Sequence, residues 1–309
     1  MLEVIEGGFL TTVQDTGRIG WGCFGVPPAG PMDPFAFRAA NLLVGNPPDA
    51  AGLEITLAGP VLRASRECLI SVCGAEFDVW AGSLPAPTWH AVFVRAGYEI
   101  RFGQQRSGAR AYLAVSGGIV LPRFLGSCAT YLPGGFGGLE GRALRAGDQL
   151  FLGRYPDSDL SIRAGKAWPH SARPLYSPNP TLRVVMGPQD DHFTSEGLAT
   201  FVESEYEVTR SSDRMGYRLR GPAVTHHDKA DIVSDGVVTG SVQIPGDGQP
   251  IVMMADHQTT GGYPKIATLI RADLPLLAQC LPGDRVRFRA VSLAVAQEAL
   301  RHQRLTQNG

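Results

Sequence analysis

The sequence predicts a mainly β protein built from two β-rich units with a few short helices. Three observations carry that expectation. Glycine and proline are abundant, 38 and 23 of 309 residues, against an average combined share of about 12 per cent. Apolar runs are short and separated by turn formers, as in chains of many strands joined by tight turns. The two halves also echo each other. Leu57-Ala58-Gly59-Pro60-Val61-Leu62 resembles Leu219-Arg220-Gly221-Pro222-Ala223-Val224, and Arg145–Phe151 resembles Leu281–Phe288. Each half thus closes with a Gly-Asp turn leading into a strand, which favours two similar units.

In chain order, residues 1–165 form the first unit. Leu2-Glu3-Val4-Ile5 reads as a strand, and the polar loops Thr11–Arg18 and Gly20–Gly30 follow. A helix begins at Asp33, a good N-cap, with Pro34 at the first helical position and Gly45 just past the end. Phe35, Ala39, Leu42 and Leu43 fall on one stripe of that helix. Separate strands are expected around Glu54–Leu57, Leu69–Cys73, Ala91–Val94, Glu99–Phe102 and Arg110–Val115. The glycine-rich stretch Gly134–Gly141 fits neither a dinucleotide loop nor a Walker loop, since Glu140 stands at the third glycine and no Gly-Lys-Ser/Thr follows. It reads as a surface or ligand-flanking loop. Residues 166–180 form a linker, with Pro169, Pro174, Pro178 and Pro180 in or near turn sequences.

Residues 181–309 form the second unit, which carries most of the candidate site. A strand, Leu182–Met186, opens it. Thr194 caps a helix with Leu198, Phe201 and Val202 on its stripe. Asp273 caps a short helix containing Pro275, and Ser292–Leu305 makes a peripheral terminal helix. Between two apolar runs, Pro250–Met254 and Ile266–Ile270, lies Asp256-His257-Gln258-Thr259-Thr260-Gly261-Gly262-Tyr263-Pro264-Lys265. A bare hairpin needs only two to five residues. This longer connection is dense in polar groups, and loops presented by rigid strands are where sites sit. Gly261 and Gly262 allow close backbone approach or a positive φ.

Composition narrows the function. Lys and Arg number 28, Asp and Glu 29, for a net charge of -1. No basic field exists for nucleic acid or an anionic membrane, and no apolar run is long enough to span one. No secretory signal is expected from the first residues. Cys23, Cys68, Cys73, Cys128 and Cys280 are scattered without a CxxC pair, which suits a reduced, cytoplasmic protein. Metal is not expected. His226 and His227 are adjacent and point to opposite faces of a strand, and His192 adds no convincing spacing.

The polar residues concentrate in loops 11–18, 187–192, 211–218 and 256–265. Arg214, Arg218 and Lys265 suit a carboxylate. Tyr263 suits proton transfer beside a cation. Gln14, Gln189, Gln258 and the Gly261 and Gly262 amides suit a carbonyl or oxyanion. Asp213 and Asp235 read as turn caps. The residues alone reach an enzyme, or part of one, that acts on a small polar, anionic molecule.

Six runs carry a resemblance to a known family: Thr12–Arg18, Gly30–Asp33, Asn41–Asn46, Gly187–Asp191, Ser212–Leu219 and Gln258–Lys265. Along nearly its whole length the sequence resembles the biotin-dependent carboxyltransferase family, also described as allophanate hydrolase subunit 2 or KipI-antagonist-like (KipA), whose members are commonly assigned as the C component of bacterial 5-oxoprolinase. The resemblance implies cyclophilin-like β-barrel units. It implies partners of the KipI-like (B component) and LamB/YcsF (A component) types, and ATP-dependent opening of 5-oxo-L-proline to L-glutamate. Urea carboxylase offers the alternative, in which a similar pair of domains transfers a carboxyl group from carboxybiotin to urea or a urea-like amide. This chain has no Met-Lys-Met biotinylation site, so biotin would ride on a separate carrier. A third alternative is a KipI-antagonist-type regulatory module without turnover. On this resemblance Lys265, Tyr263 and Asp256 are the catalytic candidates, with Tyr263 and Asp256 handling protons. Arg214, Arg218, Gln258, Gly261, Gly262, Gln189 and Gln14 are the candidates for binding a small anionic amide substrate.

Overall fold

The structure, a computed structural model, describes residues 1–155 and 160–308. The chain divides into two compact units. One comprises Met1–Arg18 and Ala29–Arg173; the other comprises Ile19–Pro28 and the chain from Pro174 onward.

The first unit contains β1 (Leu2–Glu6), β2 (Leu10–Gln14), α1 (Pro34–Leu43), β3 (Gly52–Thr56), β4 (Val61–Ala64), β5 (Cys68–Ala81), β6 (Leu84–Pro85), β7 (Val92–Val94), β8 (Glu99–Val115), β9 (Gln149–Leu150) and α2 (Leu160–Arg163). Its sheet runs β2-β3-β8-β4-β1-β9, and β5 pairs with β6, β7 and β8. The strands expected separately at Glu99–Phe102 and Arg110–Val115 are one 17-residue strand, β8. The intervening Gly103–Gly108 continues along the 14-residue β5. Register shifts between Gly74 and Val79 absorb the irregularity, as β-bulges do. Val4, Leu53, Ile55, Leu62, Ile70, Ile100 and Leu113 are among the side chains that fill the core beneath the sheet.

Helix α1 starts as its sequence dictates: the Asp33 carboxylate accepts from Ala36 N at 2.9 Å, and Pro34 follows. Gly45 beyond its end has φ +81°, a conformation that glycine adopts without strain. The single apolar stripe is not what forms. Phe35, Ala36, Phe37, Ala39, Ala40, Asn41 and Leu43 are all buried, while Leu42 is only half-buried. The helix packs on both β5 and β8, so small and apolar residues cover it on nearly every side. In the glycine-rich stretch 134–141, Gly134, Gly135 and Glu140 are exposed, as a surface loop requires, while Gly137 and Gly138 approach their neighbours closely. A Cβ on Gly137 would collide with the Ala129 carbonyl, and one on Gly138 with the Thr130 hydroxyl.

The second unit contains β10 (Thr181–Met186), α3 (Ser195–Glu203), β11 (Glu205–Val208), β12 (Gly216–Arg220), β13 (Asp235–Gly236), β14 (Ser241–Gln243), β15 (Ile251–Met253), β16 (Thr260–Gly261), β17 (Lys265–Leu269), α4 (Leu274–Ala278), β18 (Arg285–Ala290) and α5 (Leu293–Asn308). Seven strands close into a barrel in the order β10-β17-β14-β15-β12-β11-β18. The parallel pairing of β18 with β10 completes it. Alternation drives the closure: Leu182, Val184, Tyr206, Val208, Tyr217, Leu219, Val286 and Phe288 are buried, while the intervening Arg218, Arg220, Arg285 and Arg287 are exposed. Closure leaves these strands no free edge.

Helix α3 is capped as expected, with Thr194 Oγ1 accepting from Gly197 N at 2.9 Å, and Phe201 stacks on Phe288 at 4.5 Å. Asp273 does not cap α4 with its side chain. Its buried carboxylate accepts instead from the Arg183 backbone N (2.8 Å) and from Arg183 Nε (3.0 Å) and Nη2 (2.5 Å). A guanidinium offers a charged, bidentate partner that a helix N–H cannot match. The Gly-Asp echo is real at the level of local structure. Asp148 accepts from Arg145 N (2.7 Å) and Asp284 from Leu281 N (2.8 Å), and both intervening glycines have positive φ, +91° and +97°.

Candidate functional site

Strand β14 lies between β15 and β17 in the barrel, so the connection between them, residues 254–264, emerges from a closed rim and passes over the end of β14. Its root is fixed by ion pairing. Arg214 Nε and Nη2 each donate to Asp256 at 2.9 Å, and both side chains are almost wholly excluded from solvent, at 6% and 1% exposure. Two charges this deep tolerate burial only as a pair. Asp256 N also donates to the Arg214 carbonyl at 2.8 Å, extending the β12–β15 ladder. Arg214 and Asp256 are therefore committed to each other. The adjacent His257 is buried, and burial lowers its pKa, so its ring is neutral at neutral pH.

The far side of the loop folds onto residues 231–237. The two-residue strands β13 and β16 pair, Asp235 with Gly261 and Gly236 with Thr260. Ile232 N donates to Gly262 O at 2.9 Å, and Val237 N to Thr259 O at 3.0 Å. This brings Asp235, read from sequence as a turn cap, to Lys265. Lys265 Nζ donates to Asp235 Oδ2 at 2.8 Å; the lysine side chain is 3% exposed and the aspartate 53%. Gln189 Nε2 donates to the same carboxylate oxygen at 3.0 Å. Gln189 Oε1 accepts from Lys265 N at 3.0 Å, and Gln189 N donates to Lys265 O at 3.1 Å. Gln189 thus holds Lys265 by its backbone and the lysine's counter-ion by its amide.

The Lys265 ammonium, with smaller help from the Gly236 N–H and Gln189, holds the Asp235 carboxyl down at about 2. A depressed carboxyl contributes stability above its unfolded pKa and loses it as pH falls through the folded one. The pair is accordingly intact through the neutral and mildly acidic range, and begins to protonate only as pH drops below the ordinary carboxyl value of 3.8 toward 2. Carboxyl carbon NMR titration should show Asp235 returning toward the ordinary value in Lys265→Ala. An unmoved titration would mean that the lysine does not control it.

Neither loop glycine uses a positive φ. Gly261 serves close approach instead: a Cβ there would stand 2.5 Å from Gln243 Nε2 and 3.2 Å from Val237 Cγ2. Gly261→Ala is expected to displace the loop and cut activity at least about tenfold, a geometric effect of misplaced groups, with the thermal midpoint of the barrel nearly unchanged. Activity close to that of the parent protein would show that this contact is not used.

The structure gathers Lys265, Gln189, Gln258, Gly261, Gly262 and Tyr263 around one loop. Tyr263 is 40% exposed, and its carbonyl accepts from Gln243 Nε2 at 3.2 Å. Arg218 lies on the exposed face of β12, where Ser212 Oγ bonds only its backbone. Gln14 belongs to the first unit, wholly buried, with its amide nitrogen donating to Thr12 Oγ1 (3.0 Å) and Thr130 O (3.2 Å). Asp235 and the buried Gln243 complete the cluster, and sequence did not mark either as a site residue. Asp235 precedes a glycine, a pair that sequence alone reads as a turn, although it lies in the short strand β13. Gln243 is a lone polar residue in a strand. No group of His, Cys, Asp and Glu that could hold a metal ion occurs among the described residues, and no described helix is long and apolar enough to cross a membrane.

The closed β-barrel thus brings Lys265 and its partner Asp235 together with the carboxamides of Gln189, Gln243 and Gln258, which come from separate segments of the chain. The chain belongs to the family described as carboxyltransferase domain, subdomain A and B, whose sequence model matches residues 24–290. It is 37% identical to the C component of the Escherichia coli 5-oxoprolinase over 303 residues, covering 98% of this chain and 95% of that protein. It is also 37% identical to a putative urea carboxylase of Emericella nidulans, there covering only 24% of the relative. The urea amidolyase structure of Kluyveromyces lactis superposes with a TM-score of 0.93 at 32% identity, over 99% of this chain and 20% of that one. The chain therefore spans about a fifth of that larger enzyme's length.

Proposed function

We propose that this chain is the C component of a heteromeric 5-oxoprolinase, which couples ATP hydrolysis to the opening of 5-oxo-L-proline to L-glutamate. The observation that carries the reading is coverage. The match to the Escherichia coli 5-oxoprolinase component runs nearly end to end in both proteins, whereas the urea carboxylase and amidolyase matches occupy a fraction of much longer chains. Partners of the KipI-like and LamB/YcsF types complete the assembly, which acts in the cytoplasm. Lys265 meets the substrate carboxylate, with Asp235 as the counter-ion that the substrate replaces. Tyr263, exposed beside them in sequence, handles the proton at the ring nitrogen as the amide bond breaks. Gln258 meets the lactam group, and Gln189 keeps Lys265 in place. Arg214 and Asp256, engaged with each other, brace the root of the loop.

The family description favours a second reading, carboxyl transfer from a biotin carried on another protein. The donor set, a cation with carboxamides, also suits a carboxylated ureido ring, which Lys265 and Gln258 would hold. Adding avidin to the assembled complex separates the two. Under the first reading, ATP-dependent glutamate release from 5-oxoproline is indifferent to avidin. Activity that requires bicarbonate and a biotinyl carrier, and that avidin blocks, would replace it with the second.

A further inference from the structure

Strand β14 ends at Gln243, whose side chain is 1% exposed. A register shift between Val242 and Gln243 sets this residue opposite Lys265 on β17. Its amide has two unlike ends, and the surroundings assign them. The Tyr263 carbonyl, which can only accept, faces Nε2 at 3.2 Å, so Oε1 is the end turned to Gln258. There it accepts from Gln258 Nε2 at a long 3.5 Å. The space needed for this amide is what Gly261 provides by lacking a Cβ. Gln243 therefore touches Gln258, Gly261 and Tyr263 and pairs with Lys265.

The consequence falls on Gln258, which is half-buried. One of its two amide hydrogens is committed to Gln243. Its second N–H and its Oε1 meet no group among the described residues. A donor and an acceptor side by side on a planar group are complementary to a cis amide, in which N–H and C=O lie on the same edge. Lactams, cyclic ureas and urea itself carry that edge. A lactone offers the carbonyl but no N–H, and an open trans amide holds the two groups on opposite sides.

We infer that Gln258 is the residue that recognises the cis-amide edge of the substrate, and that Gln243 is the positioning residue that fixes which edge of Gln258 is presented. The inference rests on the reading of the 256–265 loop as the substrate site. It places the choice of a cis amide in a carboxamide rather than in a charge. A site built to bond a substrate N–H rejects the analogue lacking it, because its own acceptor is then left facing another acceptor.

The test is equilibrium binding to the chain assembled with its partners. The ligands are 5-oxoproline, its ring-oxygen lactone counterpart, and 2-oxoimidazolidine-4-carboxylate, a cyclic urea. The parent complex should prefer lactam to lactone at least about tenfold. Gln258→Met and Gln243→Met should each reduce that ratio to less than about threefold, the residue of one lost hydrogen bond. Thermal midpoints monitor the fold, and a ratio of affinities does not move with a mere loss of folded protein. Gln258→Met, on a loop, decides the matter if the buried Gln243→Met fails to fold. An unchanged lactam-to-lactone ratio in Gln258→Met overturns the inference. Binding of the cyclic urea but not of 5-oxoproline, lost at least about tenfold in Gln258→Met, upholds it while removing 5-oxoproline as substrate. No binding of any cis amide to the parent complex overturns both.

Discussion

Lys265→Ala is expected to lower turnover of the assembled complex by at least about 100-fold, the usual scale for removing one preorganised charge from a reacting centre. The fold should survive. The lysine's partner, Asp235, is half-exposed on the loop side, so water can solvate its carboxylate once the ammonium is gone. Gln189 still donates to that carboxylate. Loss of turnover with an unchanged thermal midpoint and unchanged assembly would place Lys265 in the chemistry. Activity within about threefold of the parent, too small for such a charge, would remove it from the site.

Arg214→Met is expected to produce the largest loss of stability, about 3–5 kcal/mol, because it strands the Asp256 carboxylate without its counter-ion in a buried position. Asp256 is 1% exposed, so solvent cannot take the place of the guanidinium. The paired variant Arg214→Met with Asp256→Leu should recover much of the loss, since a buried ion pair is often replaceable by well-packed apolar residues. Chemical denaturation of the single and double variants measures this directly. If the double variant is no more stable than the single, the pair is holding the loop root through geometry that apolar side chains cannot reproduce. If Arg214→Met is itself nearly neutral, the buried pair does not brace the loop.

Much of the architecture was legible because it depends on residues near each other in sequence. The Asp33-Pro34 start of α1, the Thr194 cap of α3 and the repeated Gly-Asp turns at Asp148 and Asp284 are local devices, and each appears as its residues dictate. The 256–265 stretch does connect two buried strands, β15 and β17. What was not legible depends on partners far along the chain. Glu99–Phe102 and Arg110–Val115 read as separate strands, and pairing with the long β5 joins them into one β8. Asp273 looks like a helix cap until Arg183, from another strand, draws its carboxylate away from the helix N–H groups. Asp235 lies 30 residues from Lys265 in a segment whose own composition explains it as a turn. Arg214 and Asp256 each suggest a role towards a ligand, but the β12–β15 ladder places them against one another. Residue types thus drew attention to the 256–265 loop as a candidate, while the partners of its side chains are set by tertiary pairing.

The proposed obligatory role of this chain in an enzyme that opens 5-oxoproline has one direct measurement. It is ATP-dependent glutamate release by the complex of this chain with the KipI-like and LamB/YcsF-type partners proposed for it, with each protein left out in turn. Glutamate should form only when this chain is present. Full activity without it, or none with all components present and folded, would contradict that role.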